Sequence, residues 1–246
     1  MDNISKHIAS IRNSIIGVRN SNSGWGSDAE IYKPKHHLAP IEPKMSLSAD
    51  QLDRMYSDVL LSTKKIETKR LIIRRLRMTD SMDIYNYSKD ERVAQHVLWT
   101  AHKSIEQSAG YIRFLQAQYR IGSVASLGIE YRETGKIIGT IGFMKLDIES
   151  SSAEIGYSLK YDMWNKGIMS EALDAMLSFG FFNLGLNRIE AYCETDNPAS
   201  ARVLEKCGMS FEGIARNKFY NKNKFVDVRQ YSILFSDYKE KDKHEI

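Results

Sequence analysis

The chain has 246 residues, with 35 Lys and Arg against 31 Asp and Glu, for a net charge of +4, and 42% hydrophobic content that includes 13 Tyr, 9 Phe and 3 Trp. That composition excludes a disordered or fibrous chain, and the charge lacks the dense basic face or motif of a nucleic-acid binder. Two cysteines, Cys193 and Cys207, cannot make a disulfide framework and do not stand in C-x-x-C spacing, and no apolar run approaches the roughly 18 residues that span a bilayer. A cytoplasmic protein is expected, with no membrane partner.

Ile4, Ile8, Ile11, Ile15 and Val18 recur at helical spacing and predict a short amphipathic helix, a stripe that could also pack across a homodimer. Three of the four prolines, Pro34, Pro40 and Pro43, then fall together with Lys33, Lys35, His36 and His37, which predicts an extended linker. Ser48-Ala49-Asp50-Gln51 has the form of a capping box, followed by an apolar face of Leu52, Met55, Tyr56, Val59 and Leu60. Residues 1–65 therefore read as an N-terminal extension of helical pieces on a tether. Residues 66–238 read as the main domain and 239–246 as a charged tail.

From Thr68 strands and helices alternate, the pattern of a mixed α/β layer architecture. Leu71 to Leu76 predicts a first strand, Thr79-Asp80 opens a helix through Tyr85, and Ser104 caps a helix to about Tyr119 that buries Tyr111, Ile112, Leu115 and Tyr119. Strands over 126–131, 137–146 and 153–159 follow closely enough to form an antiparallel meander. A helix over 168–183, a strand over 188–193, a helix over 198–206 and strands near 210–218 and 226–235 complete the chain. The strand-helix-strand unit from Ala153 should be a right-handed parallel crossover, and a cleft should open where that parallel pair splays from the meander. The expected fold is α/β (α+β): a mixed, mostly antiparallel sheet splayed at a parallel pair and flanked by helices.

Between the strand 153–159 and the next helix lies Trp164-Asn165-Lys166-Gly167-Ile168-Met169. A glycine at a helix entry lets the backbone approach a ligand, and unpaired first-turn N–H groups with a positive dipole end suit a phosphate or pyrophosphate. Lys166 adds charge, although Gly167 could equally serve only a tight turn. Taken in order, Glu67 to Arg74, Ile138 to Phe143, Ala153 to Tyr157, Asn165 to Leu173, and Asn197-Pro198-Ala199-Ser200-Ala201 leading to Glu205 to Met209 resemble the GNAT superfamily of acyl-CoA-dependent N-acyltransferases. The group most resembled includes the ribosomal-protein alanine N-acetyltransferases. The superfamily loop pattern is Gln/Arg-x-x-Gly-x-Gly/Ala, of which only Gly167 is present here, with Trp164 and Met169 at the outer positions.

The resemblance implies acetyl-CoA as co-substrate, no metal, and transfer of acetyl to a primary amine. A protein or peptide α-amino group is the leading acceptor. A small-molecule amine, or a non-catalytic acyl-CoA-binding scaffold, are the alternatives. Because amines with pKa values of about 8 to 10.4 are protonated at neutral pH, a base or water relay is needed, with a donor for the oxyanion and a proton for the thiolate. Glu154 alternates with the apolar set of its strand and is the expected general base through water. Asn197 before Pro198 is a favourable N-cap. Many superfamily members carry a tyrosine four residues after the position of Ser200. Leu204 stands there, and the resemblance gives the proton-donor role to Ser200. The expected cofactor contacts are Trp164 to Met169, Asn197, Leu204, and the backbone of Tyr157 and Leu159, along which pantetheine could lie as an added strand.

Overall fold

A computed structural model describes residues 48–238. The Ile4–Val18 stripe, the proline-rich stretch with His36 and His37, and the tail 239–246 lie outside the described residues. Eight strands, β1 (Lys65–Glu67), β2 (Leu71–Arg74), β3 (Leu127–Tyr131), β4 (Lys136–Asp147), β5 (Ser152–Leu159), β6 (Arg188–Glu194), β7 (Ser210–Asn221) and β8 (Lys224–Leu234), form one sheet in the order β1-β2-β3-β4-β5-β6-β8-β7. Every pairing is antiparallel except β5 with β6. The meander and the parallel pair stand where the spacing of the strands puts them.

Alternation along the strands makes two cores. On one face Leu71, Ile73, Ile129, Ile141, Phe143 and Ile155 pack with the helices α1 (Ala49–Ser62) and α5 (Ile168–Phe182). On the other, Ile137 packs with Ile84 and Tyr87 of α2 (Ser81–Ser88), Val93 of α3 (Glu91–Ala94), and Ile112, Leu115 and Tyr119 of α4 (Ile105–Arg120). A further helix, α6, runs over Pro198–Lys206.

Local signals act as their chemistry demands. The Ser48 hydroxyl accepts from the Gln51 N–H at 3.3 Å while the Gln51 side chain accepts from the Ser48 N–H at 2.8 Å, a closed capping box. Leu52, Met55, Tyr56 and Val59 of this helix join the same core as α5, so α1 is built into the packed body. Ser104 caps α4 by accepting from the Gln107 N–H. Two elements were not expected from sequence: β1 and α3, each too short to display a period. The first strand also stops at Arg74 instead of Leu76, because the chain leaves the ladder there and Leu76 turns into the second core.

Arg74 explains that turn. Its guanidinium donates to both oxygens of Asp80 at 2.8 and 3.0 Å and to Glu130 at 2.6 Å, with only 10% of its side chain exposed. Burial alone would raise the Asp80 carboxyl, but the bonds from Arg74 and the Arg77 N–H outweigh it and hold Asp80 below the usual range. A group depressed in the folded state stabilises above its unfolded pKa, and that stability is lost as pH falls through the lower folded value. Asp80→Asn is expected to cost about 3 kcal/mol, the scale for breaking one side of a buried pair. Urea unfolding of the variant at neutral pH and under acid should show the gap to wild type closing as pH drops. A gap that stays constant would contradict the ion-pair origin.

Candidate active site

The parallel strands β5 and β6 pair only at Ser152↔Arg188, Ala153↔Ile189 and Glu154↔Glu190, although β5 continues to Leu159 and β6 to Glu194. Beyond Glu154 they part. On its other side β5 stays paired with β4, and the Lys160 N–H donates to the Ile138 carbonyl at 2.7 Å. Antiparallel alternation then turns the backbone groups of Gly156 and Ser158 toward β4, and those of Ile155, Tyr157 and Leu159 into the gap. The indole N–H of Trp164 donates to the Leu159 carbonyl at 2.8 Å, as that parity requires.

The loop at the mouth of the gap is held from behind. Asn165 at φ 59° and Gly167 at φ 70° are left-handed, and Gly167 is the N-cap of α5. Asparagine and glycine are the residues that take this conformation at least cost. Glu171, in the first turn, accepts from the Thr68 hydroxyl at 2.6 Å, the Arg70 N–H at 2.8 Å and the Arg70 guanidinium at 2.6 Å. Arg70 also donates to the Lys166 carbonyl at 2.9 Å. These bonds keep Glu171 below the usual carboxylate range against a burial effect that would raise it. The Ile168, Met169 and Ser170 N–H groups precede the first helical bond, from Glu171 to Gly167, and so have no partner within the helix, the arrangement that suits an anion.

A cavity of about 670 Å³ runs through the gap. Ile155, Tyr157, Leu159, Ala191 and Cys193 line it on the α5 side of the sheet, and Gly156, Ser158, Tyr192 and His96 on the other. Of the expected site residues, Tyr157, Leu159, Trp164, Asn165, Gly167, Ile168, Met169, Asn197 and Ser200 share its wall. Asn197 caps α6 by accepting from the Ser200 N–H at 3.1 Å, and the Ser200 hydroxyl is 2.9 Å from the Tyr157 phenol. Burial pushes that phenol above its ordinary range, which keeps it protonated. Three expected residues stand off the wall: Lys166 projects into solvent, Leu204 is fully buried on the inner face of α6, and Glu154 lies one residue outside the point where the strands part. Glu154 is half-buried opposite Lys145 and Glu190. Burial first, and then the Glu190 charge, raise its carboxyl against Lys218 and Lys145.

A family model described as an acetyltransferase (GNAT) domain matches residues 70–210. The chain belongs to the GNAT family of N-acetyltransferases. It is 37% identical over 169 residues to the uncharacterized N-acetyltransferase YoaA of Bacillus subtilis, covering 69% of this chain and 96% of that one. It is 22% identical to the ribosomal-protein-serine acetyltransferase of Escherichia coli K12, over 65% of this chain and 96% of the relative. The crystal structure of a GNAT-family acetyltransferase from Bacillus anthracis superposes with a TM-score of 0.62 at 28% identity, covering 69% of this chain and 98% of its own.

Within this GNAT site, several wall residues were not anticipated. Arg202 and Lys206, one helical turn apart on α6, bring cations to the cavity and share its wall with the α5 N-terminus; their i, i+4 spacing after the Asn197 cap was a usable signal. Arg92 lies 3.6 Å over the Tyr161 ring, which in turn contacts Trp164 with ring centroids 5.0 Å apart. His96 gave no local signal, since its partner Glu194 is far along the chain. The GNAT position usually held by Gln or Arg is Trp164 here, and its indole is committed to Leu159. Glu171→Gln, which removes a charge from three hydrogen bonds, is expected to cost about 2 kcal/mol and to weaken acetyl-CoA binding by loosening the loop. Denaturant titration and calorimetric acetyl-CoA titration check both effects, and unchanged stability would show that the loop holds itself.

Proposed function

We propose that the chain transfers acetyl from acetyl-CoA to the α-amino group of a protein or peptide, with Ser200 and Glu154 handling protons. The observation that carries this reading is the β5–β6 gap, where unpaired strand backbone and an N-terminal helix cradle meet in one cavity. Pantetheine has two amides and suits the inward-facing groups of Tyr157 and Ile155, while its pyrophosphate suits the first turn of α5. Arg202 and Lys206 add positive charge for the phosphates. No metal enters this scheme.

In the reaction the amine nitrogen bonds to the thioester carbon and the carbon–sulfur bond breaks. The nitrogen proton of the tetrahedral intermediate leaves through water toward Glu154, whose raised carboxyl is a better base than an ordinary one. Ser200, hydrogen-bonded to the Tyr157 phenol, delivers a proton to the departing thiolate. Cys193 is on the wall, but burial pushes its thiol up to about 11, so at neutral pH it is a poor nucleophile. That favours direct transfer over an acetyl-cysteine intermediate.

For the acceptor, the likeness to a ribosomal-protein-serine acetyltransferase supports a protein. The rim agrees in character. Lys222, in the turn between β7 and β8, donates to the carbonyls of Ala94, Gln95 and Val97, which joins the hairpin to the loop after α3. Leu98, Tyr220 and Phe225 are exposed there, apolar surface that a peptide could cover. A thiol-release assay with acetyl-CoA against N-terminal peptides, polyamines and aminoglycosides should find turnover with peptides, and Ser200→Ala and Glu154→Gln should each lose about tenfold or more in kcat. Turnover confined to polyamines or aminoglycosides would overturn the peptide assignment. Acetyl-CoA binding with no turnover of any amine would make the protein a cofactor-binding scaffold.

A further inference from the structure

The acceptor reaches the cavity as an ammonium ion, since amine pKa values of about 8 to 10.4 leave little free base at neutral pH. Glu154 is not on the cavity wall, so it is poorly placed to take that first proton directly. One imidazole does line the wall on the side away from α5. His96, just after α3, holds its Nδ1 2.8 Å from Glu194 Oε2, and the other oxygen of Glu194 accepts from the Asn221 amide at 2.8 Å. Burial would raise Glu194, yet the bonds from His96 and Asn221 hold it below the usual carboxylate range. An ionised carboxylate can only accept, so the neutral ring carries its proton on Nδ1 and leaves the lone pair on Nε2. Nε2 has no hydrogen-bond partner among the described residues.

We propose that His96, oriented by Glu194, is the group that takes the proton from the acceptor ammonium before attack. The idea rests on the acetyl-transfer reading above and adds a residue to it. Geometry links the pair to the transfer machinery: the Glu194 carbonyl accepts from the Asn197 N–H at 2.9 Å, and Asn197 caps the turn that carries Ser200. The proton balance closes. The ammonium gives one proton to Nε2, which passes it to solvent, and the neutral amine then attacks. The second nitrogen proton follows the water route, while the thiolate is protonated through Ser200.

The carboxylates around the ring favour a cationic guest. Asp196 Oδ1 is 3.5 Å from Nδ1, and Glu194 lies directly against it. The nearby cations have hydrogen-bond partners of their own, Lys222 on backbone carbonyls and Arg92 on Asp90 at 2.6 Å, and the Lys222 charge also helps to keep Glu194 ionised. The donor atoms of His96, Glu194 and Asp196 also lie within 4.8 Å of one another, close enough to hold a metal ion, which is the competing use of the cluster.

The decisive variant is His96→Gln, whose amide can still donate to Glu194 and should leave folding intact. At pH 7 its kcat/KM for the acceptor should fall about 100-fold, with the affinity for acetyl-CoA unchanged. The deficit should shrink as pH rises toward the amine's own pKa, because solvent then supplies the free base. A loss under about threefold, or one that does not vary with pH, overturns the proposal. Restoration of chelator-treated wild-type enzyme by zinc would also overturn it, in favour of a metal site. A wild type that acetylates no amine sinks the acetyl-transfer reading instead. In that case, nitrogen-15 spectra of the imidazole still decide on His96: a neutral ring protonated at Nδ1 agrees, and one protonated at Nε2 contradicts.

Discussion

Everything at this site depends on two parallel strands that pair at three positions and then separate. A sheet that stayed closed would satisfy its own backbone and leave no room. By parting after Glu154, β5 keeps its bonds to β4 on one side and offers Ile155, Tyr157 and Leu159 on the other. The separation is maintained by what fills the gap at its far end: the indole of Trp164 on the Leu159 carbonyl, and the phenol of Tyr157 against Ser200 at the start of α6. A buried polar backbone needs partners. A substrate with amides is one such partner.

The same separation divides the charges. On the α5 side the cavity meets a helix N-terminus, Arg202 and Lys206, an environment for phosphates. On the opposite side stand Glu154, Glu190, Glu194 and Asp196 with His96 among them; Arg188 pairs with Glu190 and the Lys145 and Lys218 charges act on Glu154, so the carboxylates beside His96 are the ones left to meet an ammonium ion. An anionic donor and a cationic acceptor would thus approach from opposite faces of the sheet and meet in the gap. Complementary potentials of this kind act on encounter as much as on affinity.

Much of this was legible in the sequence where the controlling chemistry is local. Ser104, Asn197-Pro198 and the Ser48/Gln51 pair announce helix starts because a cap involves neighbours three residues apart. The direction of Glu154 followed from strand alternation, but its depth did not, since depth depends on where β6 leaves β5. Leu204 was expected at the cofactor and is instead fully buried, because the face of α6 that carries it turns toward the core, and Val203 reaches the wall in its place. His96 and Glu194 come together only through the packing of α3 against the β7–β8 hairpin, a contact pinned by Lys222 that no local pattern encodes.

If acetyl-CoA completes the open edge of β5 and the first turn of α5, amide hydrogen exchange with and without acetyl-CoA will show it. Slowed exchange concentrated in the amides of 155–159 and 168–170 is the predicted result. Protection that leaves those two segments unchanged and appears elsewhere would contradict it.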